Sequence, residues 1–391
     1  RVPRINAEDN NLDRSGLTYT LERYDGACPS DSASVSWTMI DDTLTQATVS
    51  HTDTGLSVGA TYCYRIKAVD GAEVSIDGGA GVPKEACQPV DDEETKARLI
   101  EEVRDRVLRI DLKELGVGDP GAVGPRGFRR AYIPAPSELF IGGEALQIAR
   151  WPNEGFLPIH KVVDAGSAPR DGDFAMKPAV IGYEGDRPSR WTKAEDFYLS
   201  GIFNYGFADD TIPVAKVDPE AKTFTTGLPH LYGFKKRSFT TWYALNLMEE
   251  IDLPGEYFID RAGQAIYFLP PEGFEGRDVR VSVMTGPLVA MEDASWVRFE
   301  NVTFETARGT GVYIEKGKSN LLAGCTFRNL GVLAVQMGKG IASFAEGKHD
   351  EDGIHVEPGI TGEPISRAVG KWHVYIYRFT TLDREAGTGH G

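Results

Sequence analysis

Phe299-Glu300-Asn301-Val302-Thr303-Phe304 and, 23 residues on, Leu322-Ala323-Gly324-Cys325-Thr326-Phe327 are two copies of one motif. Each is followed by a glycine turn and a short apolar strand: Gly309-Thr310-Gly311-Val312-Tyr313-Ile314 after the first, Gly331-Val332-Leu333-Ala334-Val335-Gln336 after the second. The period is about 22–23 residues, with two or three short strands in each copy. Leucine-rich repeats share that length but need a leucine ladder and an Asn or Cys at a fixed offset. Alternating Val, Phe and Thr strands with glycine corners fit a coil of a parallel β-helix instead. Val302, Phe304, Cys325 and Phe327 are then inward residues, each stacked on the next coil, since no coil buries that face alone.

Gly387-Thr388-Gly389 repeats the Gly309-Thr310-Gly311 corner, which predicts the start of a third coil. Between the second and third lies an excursion from Gly338 to Gly370, containing His349-Asp350-Glu351-Asp352-Gly353-Ile354-His355. Insertions of this kind project from one face of a solenoid, often the binding face.

Upstream, residues 132–271 read as β-rich and irregular. Glu256-Tyr257-Phe258-Ile259-Asp260 and Ala265-Ile266-Tyr267-Phe268-Leu269, separated by Arg261-Ala262-Gly263-Gln264, predict a hairpin. Asp91-Asp92-Glu93-Glu94 introduces an apolar stripe (Leu99, Ile100, Val103, Val107, Ile110) at spacings of three and four, predicting a helix to about Leu115. Five glycines and two prolines make residues 116–130 a loop.

Residues 17–82 alternate as short strands. Leu56 and the turn glycine Gly59 precede Tyr62, which opens the strand Tyr62-Cys63-Tyr64-Arg65-Ile66-Lys67, the pattern of a tyrosine corner in a β-sandwich. Three of the four cysteines (Cys28, Cys63, Cys87) fall in the first 90 residues, which predicts one disulfide there and an oxidising compartment. Cys63–Cys87 would join successive strands, and Cys28 is the alternative partner.

The chain has 391 residues, with 58 acidic against 42 basic side chains, so its formal charge is −16. Apolar residues make up 41% and charged residues 26%, which excludes a disordered or collagen-like chain. Such acidity argues against nucleic acid as a partner. No apolar run approaches the ~20 residues of a membrane span. The 44 glycines, about 11% of the chain against a usual 7% or so, belong largely to the corners and loops. Arg1-Val2-Pro3-Arg4 holds no signal segment, and the chain stops on a glycine-rich turn, so it reads as part of a longer protein.

The stretch from Thr54 to Val69 resembles the second half of a fibronectin type III module, with a match across about 50 residues, and the first strands of such a module are poorly represented. Over about residues 105–391 the chain resembles right-handed parallel β-helix enzymes of the glycoside hydrolase family 141 kind. That resemblance rests on Ile148-Ala149-Arg150-Trp151-Pro152-Asn153-Glu154-Gly155-Phe156, on Asn246-Leu247-Met248-Glu249-Glu250-Ile251-Asp252-Leu253-Pro254-Gly255-Glu256, and on Tyr267-Phe268-Leu269-Pro270-Pro271. It implies an all-β chain in which a right-handed parallel β-helix carries an inserted antiparallel β subdomain and is preceded by the sandwich. The corresponding division is 1–90 sandwich, 91–130 linker and capping helix, 131–279 inserted subdomain with the start of the β-helix, and 280–391 coils. It further implies a secreted monomer that cleaves fucosyl or xylosyl linkages of a complex plant or algal polysaccharide. The family's catalytic carboxylates do not map onto this chain and are expected on later coils. The Trp-Pro-Asn and Glu-Glu segments read as architectural.

Glycoside hydrolysis needs two carboxyl groups, roughly 5–5.5 Å apart for retention or 6.5–9.5 Å for inversion. Asp350, Glu351 and Asp352 offer carboxylates on the excursion, and Asp383 and Glu385 more before the third corner. The cluster could raise one pKa for a general acid, could hold a Ca²⁺ through hard oxygen ligands, or could be a solvated loop. No other cofactor is implied. His355, His373 and His390, with Tyr375, Tyr377, Arg378 and Arg384, would suit a lyase, which needs a base and a group to neutralise a uronate. Trp372 could stack on a sugar. The catalytic candidates are therefore Asp350, Asp352 and His355, and the substrate-binding candidates Trp372, Arg384 and His390. A non-catalytic carbohydrate-binding or adhesive β-helix is the rival from another class.

Overall fold

The computed structural model describes residues 19–26, 36–44, 53–54, 56–57, 60, 62–68, 74–128, 130, 133–292, 294–315 and 317–337. They are predominantly β, with one short α-helix and a few 3₁₀ turns among them. The chain divides into two compact units, and the second interrupts the first: the chain leaves the first unit after Gly79 and returns to it at Ser282.

In the first unit, Tyr19–Asp25 lies between Thr38–Leu44 and Tyr62–Ala68 in an antiparallel sheet. The Tyr62 hydroxyl accepts the Ser57 N–H at 2.7 Å, the backbone bond that a tyrosine corner makes. Asp53 fastens the same region, accepting from Arg23 at 2.9 Å and from the Tyr64 hydroxyl at 2.8 Å.

The rest of this unit is built by stacking. Val289–Glu292, Val312–Glu315 and Val335–Met337 pair in parallel, as do Arg298–Glu300 with Leu321–Ala323, and Val302–Ala307 with Thr326–Leu330. Every pair is offset by 23 residues, as in Val289↔Val312↔Val335 and Phe304↔Phe327. The corners repeat with the strands. Positive φ angles recur at Trp296 and Ser319, at Asn301 and Gly324, and at Thr306 and Asn329. At Gly324 (φ +63°) a Cβ would stand 2.3 Å from the Asn301 Oδ1 beneath it, so a side chain would push the two layers apart. Inside, Ile76, Leu288, Val289, Met291, Phe304, Val312 and Ile314 make a continuous core, with Phe327 and Cys325 packed against it.

The second unit is a set of sheets. Its largest core, Trp191, Phe197, Phe203, Phe224, Phe234 and Trp242 among others, lies under the sheet that includes Thr241–Leu245, Tyr198–Ile202 and Asp209–Asp218. Trp151 packs edge-on to Trp191 at 5.5 Å, beside the cis Trp151–Pro152 peptide. The expected hairpin forms, Glu256–Asp260 against Ala265–Phe268.

Two expectations are corrected. The helix begins where the acidic run predicts, with Asp92 accepting the Thr95 N–H at 2.7 Å, but it spans only Glu93–Arg98. Leu99, Val103 and Val107 are buried as the stripe requires, on Ala149, Met248 and Phe258. Leu108–Asp111 then pairs with the free edge of Ala265–Phe268; an open sheet edge outcompetes local helix propensity. The disulfide through Cys87 is also absent: Cys87 is a free, buried thiol in the second unit, and burial pushes its pKa up to about 11. Cys28 lies outside the described residues.

Candidate active site

Val74–Asp77 belongs to the stacked layers and not to the antiparallel sheet. It pairs in parallel with Val302–Ala307, which in turn pairs with Thr326–Leu330. The register aligns Ile76, Phe304 and Phe327 in one row, Ser75, Thr303 and Thr326 in a second, and Asp77, Glu305 and Arg328 in a third. Successive side chains of a strand point to opposite faces. The apolar row enters the core, so the hydroxyl and charged rows share the other face.

Strands lie about 4.8 Å apart, so the backbones of Asp77 and Glu305 are one such step apart. Both residues are 4% exposed. Asp77 Oδ1 accepts the Gly79 N–H at 2.7 Å, and Glu305 Oε2 accepts from Arg328 Nε at 2.5 Å. The Arg328 side chain at the end of the described row is 48% exposed. A Cβ on Gly79 would fall 2.5 Å from Thr306 and 3.1 Å from Asp77 Oδ1. The glycine therefore lets the chain turn against the acid pair. Two carboxyl groups in a dry environment can divide the roles of proton donor and anion.

The second unit holds acidic residues of a different kind. Glu250 is fully buried, takes Arg187 as a two-pronged partner at 2.5–3.1 Å and accepts from Trp191 Nε1 at 2.7 Å. Burial raises its pKa against the pull of those donors. Arg187 also reaches Asp252 at 3.0 Å, which Asn153 holds from the other side at 2.7 Å. Glu249 is clamped by Arg98 at 2.8 Å. Glu256 is 2% exposed, and burial pushes its pKa up to about 7. Its Oε2 accepts the N–H groups of Asp252 and Leu253, both at 2.9 Å. These carboxylates close a turn and anchor loops, as the architectural reading of the Glu-Glu segment expects.

Asp210 and His230 form a further buried pair, 3.0 Å from Oδ2 to Nδ1. Burial works to raise the Asp210 pKa, but Arg130, doubly bonded at 2.6 and 2.8 Å, and His230 outweigh it and hold the carboxyl low. Both side chains are 1% exposed, and the pair ties Arg130 to the loop at His230.

The residues singled out from sequence (Asp350, Asp352 and His355 as catalytic, Trp372, Arg384 and His390 as substrate-binding) lie outside the described residues. So does the acidic excursion considered for Ca²⁺. Among the described residues no group of three or more His, Cys, Asp or Glu is placed to hold a metal, and no helix is long and apolar enough to cross a membrane.

Sequence reasoning missed Asp77 and Glu305. The signal was present: Val74-Ser75-Ile76-Asp77, Val302-Thr303-Phe304-Glu305 and Cys325-Thr326-Phe327-Arg328 share one alternation of apolar, hydroxyl, apolar and charged residues. The first copy stands more than 200 residues before the second, inside the segment read as a sandwich.

No protein-family model and no curated protein matches the chain. A solved structure named glycoside hydrolase is similar to it at 13% identity and a TM-score of 0.46, covering 68% of this chain and 51% of that one. The chain thus spans about half the length of that neighbour.

Proposed function

We propose that the chain is part of a secreted glycoside hydrolase that cleaves fucosyl or xylosyl linkages of a complex polysaccharide. In this reading the 23-residue layers are coils of a right-handed parallel β-helix, the second unit is its inserted subdomain, and the first sheet belongs to a fibronectin-like module. The observation that supports hydrolysis is the in-register pair Asp77–Glu305 on neighbouring parallel strands. The register places the two acidic side chains on one face of neighbouring strands, and glycoside hydrolysis needs two carboxyl groups beside one bond. Glu305, with Arg328 on it, takes the anionic role at the anomeric carbon. Asp77, whose Oδ1 accepts the Gly79 N–H, takes the role of proton donor to the leaving oxygen.

Incubating the full-length protein with a fucan, a xylan and a polygalacturonate tests this. New reducing ends without ultraviolet absorbance are expected. Absorbance of an unsaturated uronate would make the protein a lyase, and retention on the polymers without cleavage would make it a binding protein.

A further inference from the structure

We infer that the second unit carries a pH-sensitive latch: with a proton on Asp196, Arg261 fastens the loop at Asp119, and when Asp196 ionises Arg261 turns to it and releases that loop. The latch is independent of the hydrolase reading.

Arg261 stands in the turn between Glu256–Asp260 and Ala265–Phe268, with a carboxyl on either side. Its Nη2 lies 3.5 Å from Asp119 Oδ2, and its Nη1 lies 3.8 Å from Asp196 Oδ2. The second distance is too long for a hydrogen bond. Asp196 Oδ2 and Arg261 Nε are both shut off from solvent and have no hydrogen-bond partner among the described residues. The guanidinium is thus poised between two partners, a little nearer the exposed one. The Asp119 side chain is 66% exposed and that of Asp196 27%.

Asp196 is held in place from behind. Its backbone carbonyl accepts from Asn246 Nδ2 at 2.9 Å, and Asn246 Oδ1 accepts the Ile259 N–H at 2.9 Å, which ties the acid to the hairpin that carries Arg261. The Tyr198 hydroxyl donates to Asp196 Oδ1 at 2.5 Å and takes a backbone hydrogen bond from Gly124. A Cβ on Gly124 would stand 3.0 Å from the Tyr198 ring, so the loop lies directly on that ring. Residues 119–124 therefore reach Asp196 at both ends, through Arg261 at one and Tyr198 at the other. The Tyr198 end holds in either charge state, because a phenol donates to a carboxyl and to a carboxylate alike. The Asp119 end is the one that can let go. Asp119 Oδ1 accepts the Gly121 N–H at 2.8 Å, so the loop backbone follows that side chain.

A neutral Asp196 leaves Asp119 as the nearer anion for Arg261. An ionised Asp196 competes from the drier side, where water screens less and the attraction is stronger. The charged and titratable groups that face Asp196 are Tyr198 on the adjoining strand, Arg261 and Asp260 on the hairpin, and Asp119 on the loop. Asp260 Oδ1 is occupied by the Gly263 N–H at 2.8 Å. Burial, the largest influence, raises the Asp196 pKa above its ordinary 3.8; Asp119 and Asp260 add to the rise, and Tyr198 and Arg261 oppose it. The folded chain therefore keeps this proton to higher pH than an exposed aspartate does. The latch is closed on the acid side and opens as pH rises.

Hydrogen–deuterium exchange of the full chain, read by mass spectrometry on peptides covering residues 116–125 and corrected for the intrinsic pH dependence of exchange, tests this. Protection is taken relative to the Thr241–Leu245 strand, which reports any general loosening of the unit as Glu256 titrates. Relative protection of the wild-type loop is expected to fall by about fivefold between pH 4 and pH 8, the scale of one polar contact. Asp196→Asn cannot ionise yet still accepts from Tyr198, so it should keep the acid-side protection throughout. Asp119→Asn changes only an exposed side chain and should show the low protection at every pH. A wild-type loop equally protected at both ends of the range would overturn the inference. So would a fall that persists undiminished in Asp119→Asn or in a folded Asp196→Asn.

Discussion

Phe304 stacks face to face on Phe327, ring centroids 4.8 Å apart and planes 6° from parallel, on strands whose register differs by 23 residues. One position further along the same strands stand Glu305 and Arg328. The ring stack therefore sets the register that brings the charged row together. Phe304 is fully buried. Phe304→Ala should cost about 3–5 kcal/mol, and Phe304→Leu markedly less, measured by urea unfolding of the full-length protein. An alanine variant as stable as wild type would mean that the stack does not hold the layers in register.

Glu256 gives the fold a pH dependence of known sign. Its folded pKa of about 7 lies above the ordinary 4.5 because burial disfavours the anion. The folded chain then binds more protons than the unfolded one between those values, so stability falls as pH rises from about 4.5 to 7. The full loss is on the order of 3 kcal/mol at 1.36 kcal/mol per pKa unit. Glu256→Gln should flatten that part of the stability–pH curve, followed by denaturant unfolding between pH 4.5 and 8. An unchanged slope would place the titration elsewhere.

Arg187→Met should destabilise by roughly 3–5 kcal/mol, because it strands Glu250 as a buried charge. Adding Glu250→Gln should recover much of that loss, since the stranded charge goes with it. A double-mutant cycle measures the coupling. Additive losses would show that the two side chains act independently, against the two-pronged contact seen between them.

How much of this was legible in the sequence differs by element. The 23-residue spacing, the inward Phe304 and Phe327 and the hairpin at 256–268 could be read because each is a local pattern, of period 2 within a strand or of one layer along the chain. The helix after Asp92 was legible at its cap, where side-chain chemistry is local. Its end at Arg98 was not, because the competing partner, Ala265–Phe268, lies more than 150 residues away. Asp77 was hidden for the same reason. Its strand is a repeat unit separated from its neighbours by the inserted second unit, and no window of sequence contains both acids.

The most direct measurement is the release of reducing ends from the responsive polysaccharide by full-length wild type, Asp77→Asn and Glu305→Gln, each checked for native circular dichroism. Both substitutions keep the shape of the side chain and remove its proton-donating or anionic function. A fall of at least about a hundredfold in each, with Asp77→Asn partly relieved on substrates whose leaving group needs no proton, is expected of an acid and an anion at work on one glycosidic bond. Cleavage by both variants at the wild-type rate would contradict the assignment of the active site to this pair.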